Sequence, residues 1–519
     1  RISISDDGES WTPVVEQGNM REDQGVVRYE FGISYDARYI KYEVIKFDSD
    51  SLRINEFTIF EDPENHLVEQ DPPEGGDQPF VPTNENIARG QEIVIEKGFP
   101  VSGWMPSGQY GRGVPTPEES EILGWDGPLF YDPPLENVQY MKYNPNSLWG
   151  LAKAPWGSNG MAGAGEPRDF VDEGMLPYIN NAVSFCFGDE GSYSYEEALR
   201  FKEWFAFSKE RYPGTIVHSN QTGYQWSRAN YEEYIRIAEP DLLSWDTYYS
   251  WNDSNAWNAT YTMLNTPTWT MLRELALKGV DGSGQKPILY GQYLDTYNLD
   301  QPMSQKNLVV NLSLLTGMKW LNYFRLEFQF DHCYLWDEDG TPSRGAYEWG
   351  EVNRYLKTID DYILRLNSDW VVSKPGKHLS GDQELSNNVK SAWKMGGFDQ
   401  NADVNAGYYI QDVFAKNISS ANNGLPGDVL LGYFTALPGL SESEVKETFG
   451  SSAPKAFMLL NGLSAGSSGS YSNPNVAAKE RGSAENTKQT ITLTFTGEQT
   501  APLKKVNRDT GLVEDVEII

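Results

Sequence analysis

Three observations make this an α/β protein built on a closed (β/α)8 barrel with a β-sandwich on either side. Between residues 92 and 369, apolar runs of strand length alternate with helical runs. Eight strands with intervening helices over about 250 residues are what such a barrel requires. On either side the texture changes to short alternating runs punctuated by turn residues, the pattern of antiparallel sheet. No glycine-rich phosphate loop follows the first strand-like run, which sets the barrel ahead of a doubly wound open sheet.

Residues 1–61 read RISISDDGESWTPV, VVRYEFGI, ARYIKYEVI and LRINEFTIFED, a period-two pattern that predicts a β-sandwich. Residues 62–91 supply prolines, glycines and acids without periodicity and read as a linker. The barrel region, residues 92–369, offers FPVSGWMP, GWDGPLFYDPP, NSLWGLAKAP, NAVSFCFGDEG, GTIVHSNQTG, DLLSWDTYYSW, KPILYGQYLDTY and MKWLNYFRLEF as its strands. Ser194 and Glu197 are spaced as a capping box before YEEALRFKEWFAFSKER. Asn230 and Glu233 are expected to open NYEEYIRIAEP in the same way, and Pro240 to end it. Val352, Tyr355, Leu356, Ile359, Tyr362, Ile363 and Leu366 keep helical spacing and predict one long amphipathic helix after the eighth strand. Residues 370–519 return to β texture in DVLLGYFTAL, KAFMLLNGL, QTITLTFTG and PLKKVNRDTGLVEDVEI. A Gly/Ser/Asn-rich loop interrupts them near 462–475, and a small C-terminal β-sandwich is expected.

The 519-residue chain carries 42 Lys and Arg against 74 Asp and Glu, a formal net charge of −32. Such a surface repels a duplex or an anionic membrane, so nucleic acid and lipid are set aside as partners. No run of about 18 apolar residues exists, so no membrane insertion is expected. Two cysteines, Cys186 and Cys333, make a disulfide framework impossible, and each lies in an apolar run suited to a buried thiol. An acidic, disulfide-poor chain with 16 Trp and 30 Tyr fits a secreted or cell-surface bacterial protein at least as well as a cytosolic one.

The active site of such a barrel lies at the C-terminal ends of its strands. Trp104 ends the first run, Asp132 the second, and Lys153 and Trp156 the third. Asp189 and Glu190 end the fourth, His218 and Asn220 the fifth, and Asp246 and Tyr248 the sixth. Gln292 and Tyr293 end the seventh, and Arg325 and Glu327 the eighth. Carboxylates ringed by Trp, Tyr, Asn and Gln suit sugar chemistry. Aromatic faces cover a pyranose, amides fix its hydroxyls, and paired acids handle the glycosidic oxygen and the anomeric carbon. The expected substrate is therefore an oligosaccharide or polysaccharide glycan. Within FCFGDEG, adjacent strand residues face opposite ways. Asp189 and Glu190 thus serve one site only if the strand breaks near Gly191. Otherwise Asp189 is a structural partner of Lys153 or Arg325.

This layout resembles the bacterial glycoside hydrolases of clan A, whose barrels carry an acid at the end of the fourth strand. Residues 1–61 resemble the second half of a galactose-binding-like (discoidin-type) domain: a strand, a DG-x-W-like turn, the ARYIKYEV strand and the INEF-x-IFE strand follow in that order. Only half of such a domain is matched, so further sequence is expected upstream. The resemblance implies Glu190 as general acid/base, with two departures. Asp-Glu stands where clan A usually carries Asn-Glu, and Gln292 stands where it carries the nucleophilic Glu. The Asp-Glu pair is similar to that of β-N-acetylhexosaminidases, which use the substrate's own acetamide as nucleophile. That likeness implies that Asp189 orients the acetamide and that Tyr248 or Tyr293 hydrogen-bonds its oxygen. Cys186-Phe187-Gly188 stands where those enzymes carry His-x-Gly-Gly. Two alternatives stay open: a two-carboxylate glycosidase pairing Glu190 with Glu327 or Asp246, and a barrel that binds carbohydrate without cleaving it.

Other motifs do not close. Gly462-Leu463-Ser464-Ala465-Gly466 matches the nucleophile elbow, but no histidine follows it, the last being His378. The four histidines, His66, His218, His332 and His378, are scattered and form no H-E-x-x-H, so no metal or cofactor is expected. Asp399, Asn401, Asp403 and Asn405 alternate like calcium ligands but lack the glycine and terminal glutamate of such a loop, and read as a solvated loop.

Overall fold

The computed structural model describes residues 2–5, 10–15, 39–42, 72, 80–105, 117–130, 135–155, 165–249, 251, 259–296, 301–325, 335–336, 341–377, 385, 394–466, 487–497 and 503–517. The chain forms two compact units, Arg1–Leu67 and Val68–Ile519. In the first, β1 (Ile2–Ser5) pairs antiparallel with both β2 (Thr12–Val15) and β3 (Tyr39–Tyr42). The runs VVRYEFGI and LRINEFTIFED lie outside the described residues.

The second unit contains a closed parallel barrel. Its strands are β4 (Val101–Met105), β5 (Gly127–Phe130), β6 (Trp149–Leu151), β7 (Ala182–Asp189), β8 (Ile216–Thr222), β9 (Leu242–Asp246), β10 (Leu289–Asp295) and β11 (Trp320–Phe324). They follow one another around the barrel in chain order, with β11 closing on β4. All eight fall within the expected runs. Strands covered on both faces read as continuous apolar stretches, as here. Phe185 and Phe187 of β7 point outward onto Phe170, Tyr212 and Trp204, while His218 of β8 meets Trp320 of β11 across the lumen.

One helix closes the N-terminal end. In α1 (Arg89–Lys97), Arg89 pairs with Asp241 ahead of β9. Gln91 accepts a hydrogen bond from Lys319 ahead of β11 at 2.9 Å, and Lys97 donates to the Ala182 carbonyl at the start of β7 at 2.5 Å. Gly90 is required here, because a Cβ would stand 2.3 Å from the Asp241 carbonyl oxygen.

The remaining barrel helices are α2 (Pro117–Leu123), α3 (Leu135–Tyr143), α4 (Tyr195–Arg211), α5 (Arg228–Ala238), α6 (Ala259–Leu264), α7 (Pro267–Lys278), α8 (Met303–Leu315) and α9 (Arg344–Ile363). Ser194 caps α4 by accepting from the Glu197 amide at 3.0 Å. α5 opens earlier than its sequence suggests. Ser227 is the cap and forms a full capping box with Asn230: its hydroxyl accepts from the Asn230 amide, and Asn230 Oδ1 accepts from the Ser227 amide. α9 stops at Ile363, and Leu366 belongs to the next strand, paired with Ala436.

The C-terminal region is a sandwich. β12 (Leu366–Lys374), β13 (Met395–Gly397), β15 (Val429–Ala436) and β16 (Ala456–Asn461) form one sheet, and β14 (Ile410–Asn417) pairs with β17 (Gln489–Phe495) in the other. Val372, Tyr433, Ile410 and Val413 fill the space between them, with Ile491 and Leu493 against it. β18 (Lys504–Val506) and β19 (Val513–Asp515) make a hairpin. The sandwich also covers α8, which explains why that helix is buried nearly all round, its polar Ser304, Gln305 and Lys306 included: Gly432 of β15 leaves no room for a Cβ against the Leu315 carbonyl. Ser464 lies in this contact. Its hydroxyl donates to the Ala465 carbonyl at 3.0 Å, and the same carbonyl accepts from Gln305 of α8 at 2.9 Å. Asn401–Asn405 is not a solvated loop. It opens a short helix, Ala402–Gly407, in which buried Asn405 donates to the Phe398 carbonyl and accepts from Tyr433.

Candidate active site

The two adjacent acids reach one site through two backbone irregularities placed side by side. Cys186 pairs with His218 and Asp189 pairs with Asn220, so three steps along β7 match two along β8. The extra residue is a β-bulge at Phe187–Gly188. It returns Asp189 to the lumen face that Cys186 occupies, where strict alternation would have turned it outward. Gly188 carries no side chain because a Cβ would stand 2.7 Å from Ser219 Oγ and 2.8 Å from the Phe201 ring. The next residue, Glu190, has φ of +50°, a left-handed conformation rare for a residue with a side chain. The strand therefore does break, one position before Gly191.

Glu190 is held in that conformation from β8 and the loop behind it. Its amide donates to the Asn220 carbonyl at 3.0 Å, and Gln225 donates from its side chain to the Glu190 carbonyl. Trp226 Nε1 donates to the Gly191 carbonyl at 2.8 Å. Neither Gln225 nor Trp226 is among the residues singled out from sequence, although both follow the end of the fifth strand-like run directly.

Asn220 sits at the centre. Its Nδ2 donates to Asp189 Oδ1 at 3.1 Å and to Asp246 Oδ1 at 3.3 Å, and Asp246 is hydrogen-bonded to the Glu190 carboxyl. Carboxyls from β7 and β9 thus share one amide, and that of Glu190, just past β7, joins them through Asp246. Burial pushes Asp246 up to about 8, helped by the hydrogen bond to Glu190 and by the charges of Glu190 and Asp189. Burial also pushes Asp189 up to about 6, opposed by the Asn220 hydrogen bond, raised by Glu190 and lowered by Lys153. Two carboxyls in contact cannot both be ionised cheaply, so Asp246 keeps its proton at neutral pH and directs it at the Glu190 carboxyl. Tyr231 of α5, absent from the sequence expectations, places a buried hydroxyl without a partner among the described residues near Asp246, whose charge disfavours its ionisation.

Aromatic side chains line the lumen beneath and beside the acids. Trp104 stands edge-on to Tyr293 at 5.9 Å and to Phe324 at 5.6 Å, and Tyr248 stacks on Phe324 at 5.7 Å. Arg325 also lies over that ring, 5.7 Å from its centroid, and Lys153 is half-buried beyond the end of β6. Tyr293 is 1% exposed, and no described residue partners its hydroxyl.

Two expected site residues do not reach the mouth. Gln292 faces away from the lumen and donates to Ser313 of α8 at 2.7 Å, because the residue that turns inward at this position is Tyr293. His218 lies one layer below Asn220, fully buried, with Nδ1 2.9 Å from Ser244 Oγ; burial lowers it to about 3, so it stays neutral. Asp132, Trp156 and Glu327 lie outside the described residues. No group of three or more His, Cys, Asp and Glu suited to a metal ion occurs among the described residues.

No protein-family model matches the chain, and no curated protein matches it by sequence. Among solved structures the chain is similar to an endo-β-1,4-mannanase from Thermotoga petrophila, with 13% identity, 76% of this chain and 97% of that one covered, and a TM-score of 0.31. It is also similar to an arabinofuranosidase (10% identity, 67% and 82% covered, TM-score 0.35). A β-galactosidase from the psychrophilic Marinomonas ef1 gives 11% identity, 53% and 63% covered, and a TM-score of 0.32. Likeness at this level adds nothing to what the strand order of the barrel already establishes.

Proposed function

We propose that this chain hydrolyses the O-glycosidic bonds of a glycan, with Glu190 as general acid/base. The observation that carries the proposal is the convergence of Asp189, Glu190 and Asp246 around Asn220 at the barrel mouth. Glycoside hydrolysis needs a proton for the leaving oxygen at a pH where ordinary carboxyls have lost theirs. A carboxyl pair that retains one proton supplies it.

Asp246 suits the role of proton partner better than that of opposing nucleophile. Retaining glycosidases keep their carboxyls about 5 Å apart and inverting ones further, so that a sugar or a water fits between. Asp246 shares a hydrogen bond with the Glu190 carboxyl, which is closer than either arrangement requires. The likeness of the Asp-Glu pair to substrate-assisted hexosaminidases then supplies the missing nucleophile. Glu190 passes the proton it shares with Asp246 to the glycosidic oxygen as the C1–O bond breaks, and the 2-acetamido oxygen closes on C1. Asp189 accepts the acetamide N–H and stabilises the positive charge of the ring so formed. Glu190 next takes a proton from water, which attacks C1 and restores the acetamide. On this reading the protein acts outside the cell, and its N-terminal unit, similar in sequence to half of a galactose-binding-like domain, holds it on its substrate.

Paired aryl glycosides with good and poor leaving groups test the assignment. Glu190→Gln should lose about two to four orders of magnitude in turnover on the poor leaving group and much less on the good one. An unimpaired variant removes Glu190 from the chemistry. Glycan binding without released sugar across a broad panel would replace hydrolysis by a lectin-like role.

A further inference from the structure

We infer that Tyr224 is a sugar-stacking platform one subsite away from Glu190, and that the substrate is consequently an oligosaccharide or polysaccharide that extends beyond the scissile bond. The inference rests on the hydrolase reading and adds the size of its substrate.

Tyr224 is 79% exposed, the most exposed large hydrophobic side chain among the described residues. Single exposed apolar side chains are ordinary. Three features set this one apart. First, it occupies the tip of a turn built to be rigid. The Gln225 amide donates to the Thr222 carbonyl at 3.3 Å, and the Gln225 side chain accepts from the Thr222 amide at 3.3 Å. Second, the other tip residue, Gly223, has no space for a side chain, since a Cβ would stand 2.5 Å from Thr247 Oγ1. The turn therefore packs its backbone on the segment after β9 and presents one ring to solvent. Third, the turn is fastened to the acid itself: the side chains of Gln225 and Trp226 donate to the carbonyls of Glu190 and Gly191. A tyrosine one residue before such an anchor has its backbone fixed relative to that of Glu190.

Its location is not isolated. The exposed aromatic side chains among the barrel's described residues are Tyr195, Tyr224 and Tyr347. Tyr195 opens α4 after β7, Tyr224 follows β8, and Tyr347 is in the first turn of α9 after β11. All three lie on the mouth side, and among the described residues the floor of the barrel presents none. A tyrosine ring is a flat apolar surface with a polar tip and little rotamer entropy to lose, which matches the apolar face and hydroxyl rim of a pyranose.

The test uses β-1,4-linked glucose, mannose and N-acetylglucosamine oligosaccharides of two to six units. Turnover is measured with the wild-type protein, and binding by calorimetric titration into the Glu190→Gln protein. Tyr224→Ala should lower kcat/KM in a way that grows with chain length, reaching about tenfold on the best hexasaccharide, through KM rather than kcat. Tyr224→Trp should restore it. The same variant on the Glu190→Gln background should weaken hexasaccharide binding by a similar factor. A loss equal on di- and hexasaccharides, no loss on either, or no restoration by Trp overturns the platform, as does failure of every hexasaccharide to bind. Hexasaccharides that bind but are never cleaved would sink the hydrolase reading separately, with the platform then judged on whether Tyr224→Ala weakens that binding.

Discussion

The two ends of the barrel handle buried carboxylates in opposite ways. At the floor each acid meets a cation or an amide: Asp241 pairs with Arg89 and Lys209, Asp126 pairs with Lys357 and accepts from the Val101 amide, and buried Lys319 donates to Gln91 and the Leu364 carbonyl. Burial raises Asp126, but Lys357 opposes that rise. At the mouth burial also raises Asp246, and there the nearest charges, Glu190 and Asp189, add to it. A network that neutralises itself serves the fold. One that crowds like charges around a single amide costs stability, and such costs concentrate where chemistry is done.

The largest test of this contrast is made at the mouth. If Asp189 assists an acetamide nucleophile, Asp189→Asn should cost nearly as much turnover as Glu190→Gln, about two to four orders of magnitude, on 2-acetamido glycosides. A thiazoline mimic of the cyclised acetamide should bind tightly, because it resembles the species that the site stabilises. The melting temperature should hold or rise, since the change removes a crowded acid. Full activity in Asp189→Asn, or cleavage of sugars lacking the acetamide at the same rate, would retire substrate assistance and make Glu327 the residue to replace.

The matching change at the floor should reverse the pattern. Arg89→Leu leaves Asp241, which is 3% exposed, with only Lys209 at 3.5 Å and backbone amides around it. Removing one partner of a buried pair costs about 3–5 kcal/mol. Urea or thermal unfolding should register that loss, with kcat per folded molecule changed little. A variant as stable as the wild type would mean that Arg89 is ornamental and that the floor is not the self-neutralising network described.

The barrel was legible from the sequence because strands buried on both faces leave an unmistakable apolar run, and the mouth residues follow from where those runs end. What was not legible is the rotation of side chains at those ends. FCFGDEG gives no hint that a bulge at Phe187–Gly188 restores Asp189 to the lumen, since the cause is the crowding of Gly188 by Ser219 and Phe201, both distant in sequence or on another strand. The left-handed turn at Glu190 depends in the same way on Gln225 and Trp226. Gln292 illustrates the converse error: its polar side chain at a strand end looked like a site residue, while its tyrosine neighbour took the inward position and left it to Ser313. Helix starts were read to within a turn where a serine sat at the cap, and α5 was entered late because Asn230 imitates a cap while serving as the third residue of the box.

The smallest expected effect concerns stability against pH, and its sign separates the crowded acids of the mouth from an exposed-side acid bound by two cations. In the unfolded chain Asp189 and Asp246 titrate near the ordinary value of 3.8, whereas in the folded protein they are pushed up to about 6 and about 8. Between those limits the folded state keeps protons that the unfolded chain has released, so stability falls as pH rises. The loss from Asp189 develops between roughly pH 4 and pH 6, and that from Asp246 between roughly pH 4 and pH 8. Glu274 shows the opposite case. Glu274, bound by Arg228 and Lys278, is held below its ordinary value, so its contribution is present at neutral pH and is lost on acidification. Replacing Asp246 by Asn removes the larger of the two mouth titrations and keeps a hydrogen-bonding side chain of the same shape. The difference in melting temperature between Asp246→Asn and wild type should therefore be near zero at pH 4, grow through neutrality and level off above pH 8, amounting to a few degrees. A difference that stays flat across that range would show that Asp246 is not held protonated by its neighbours, and the contrast between mouth and floor would lose its electrostatic basis.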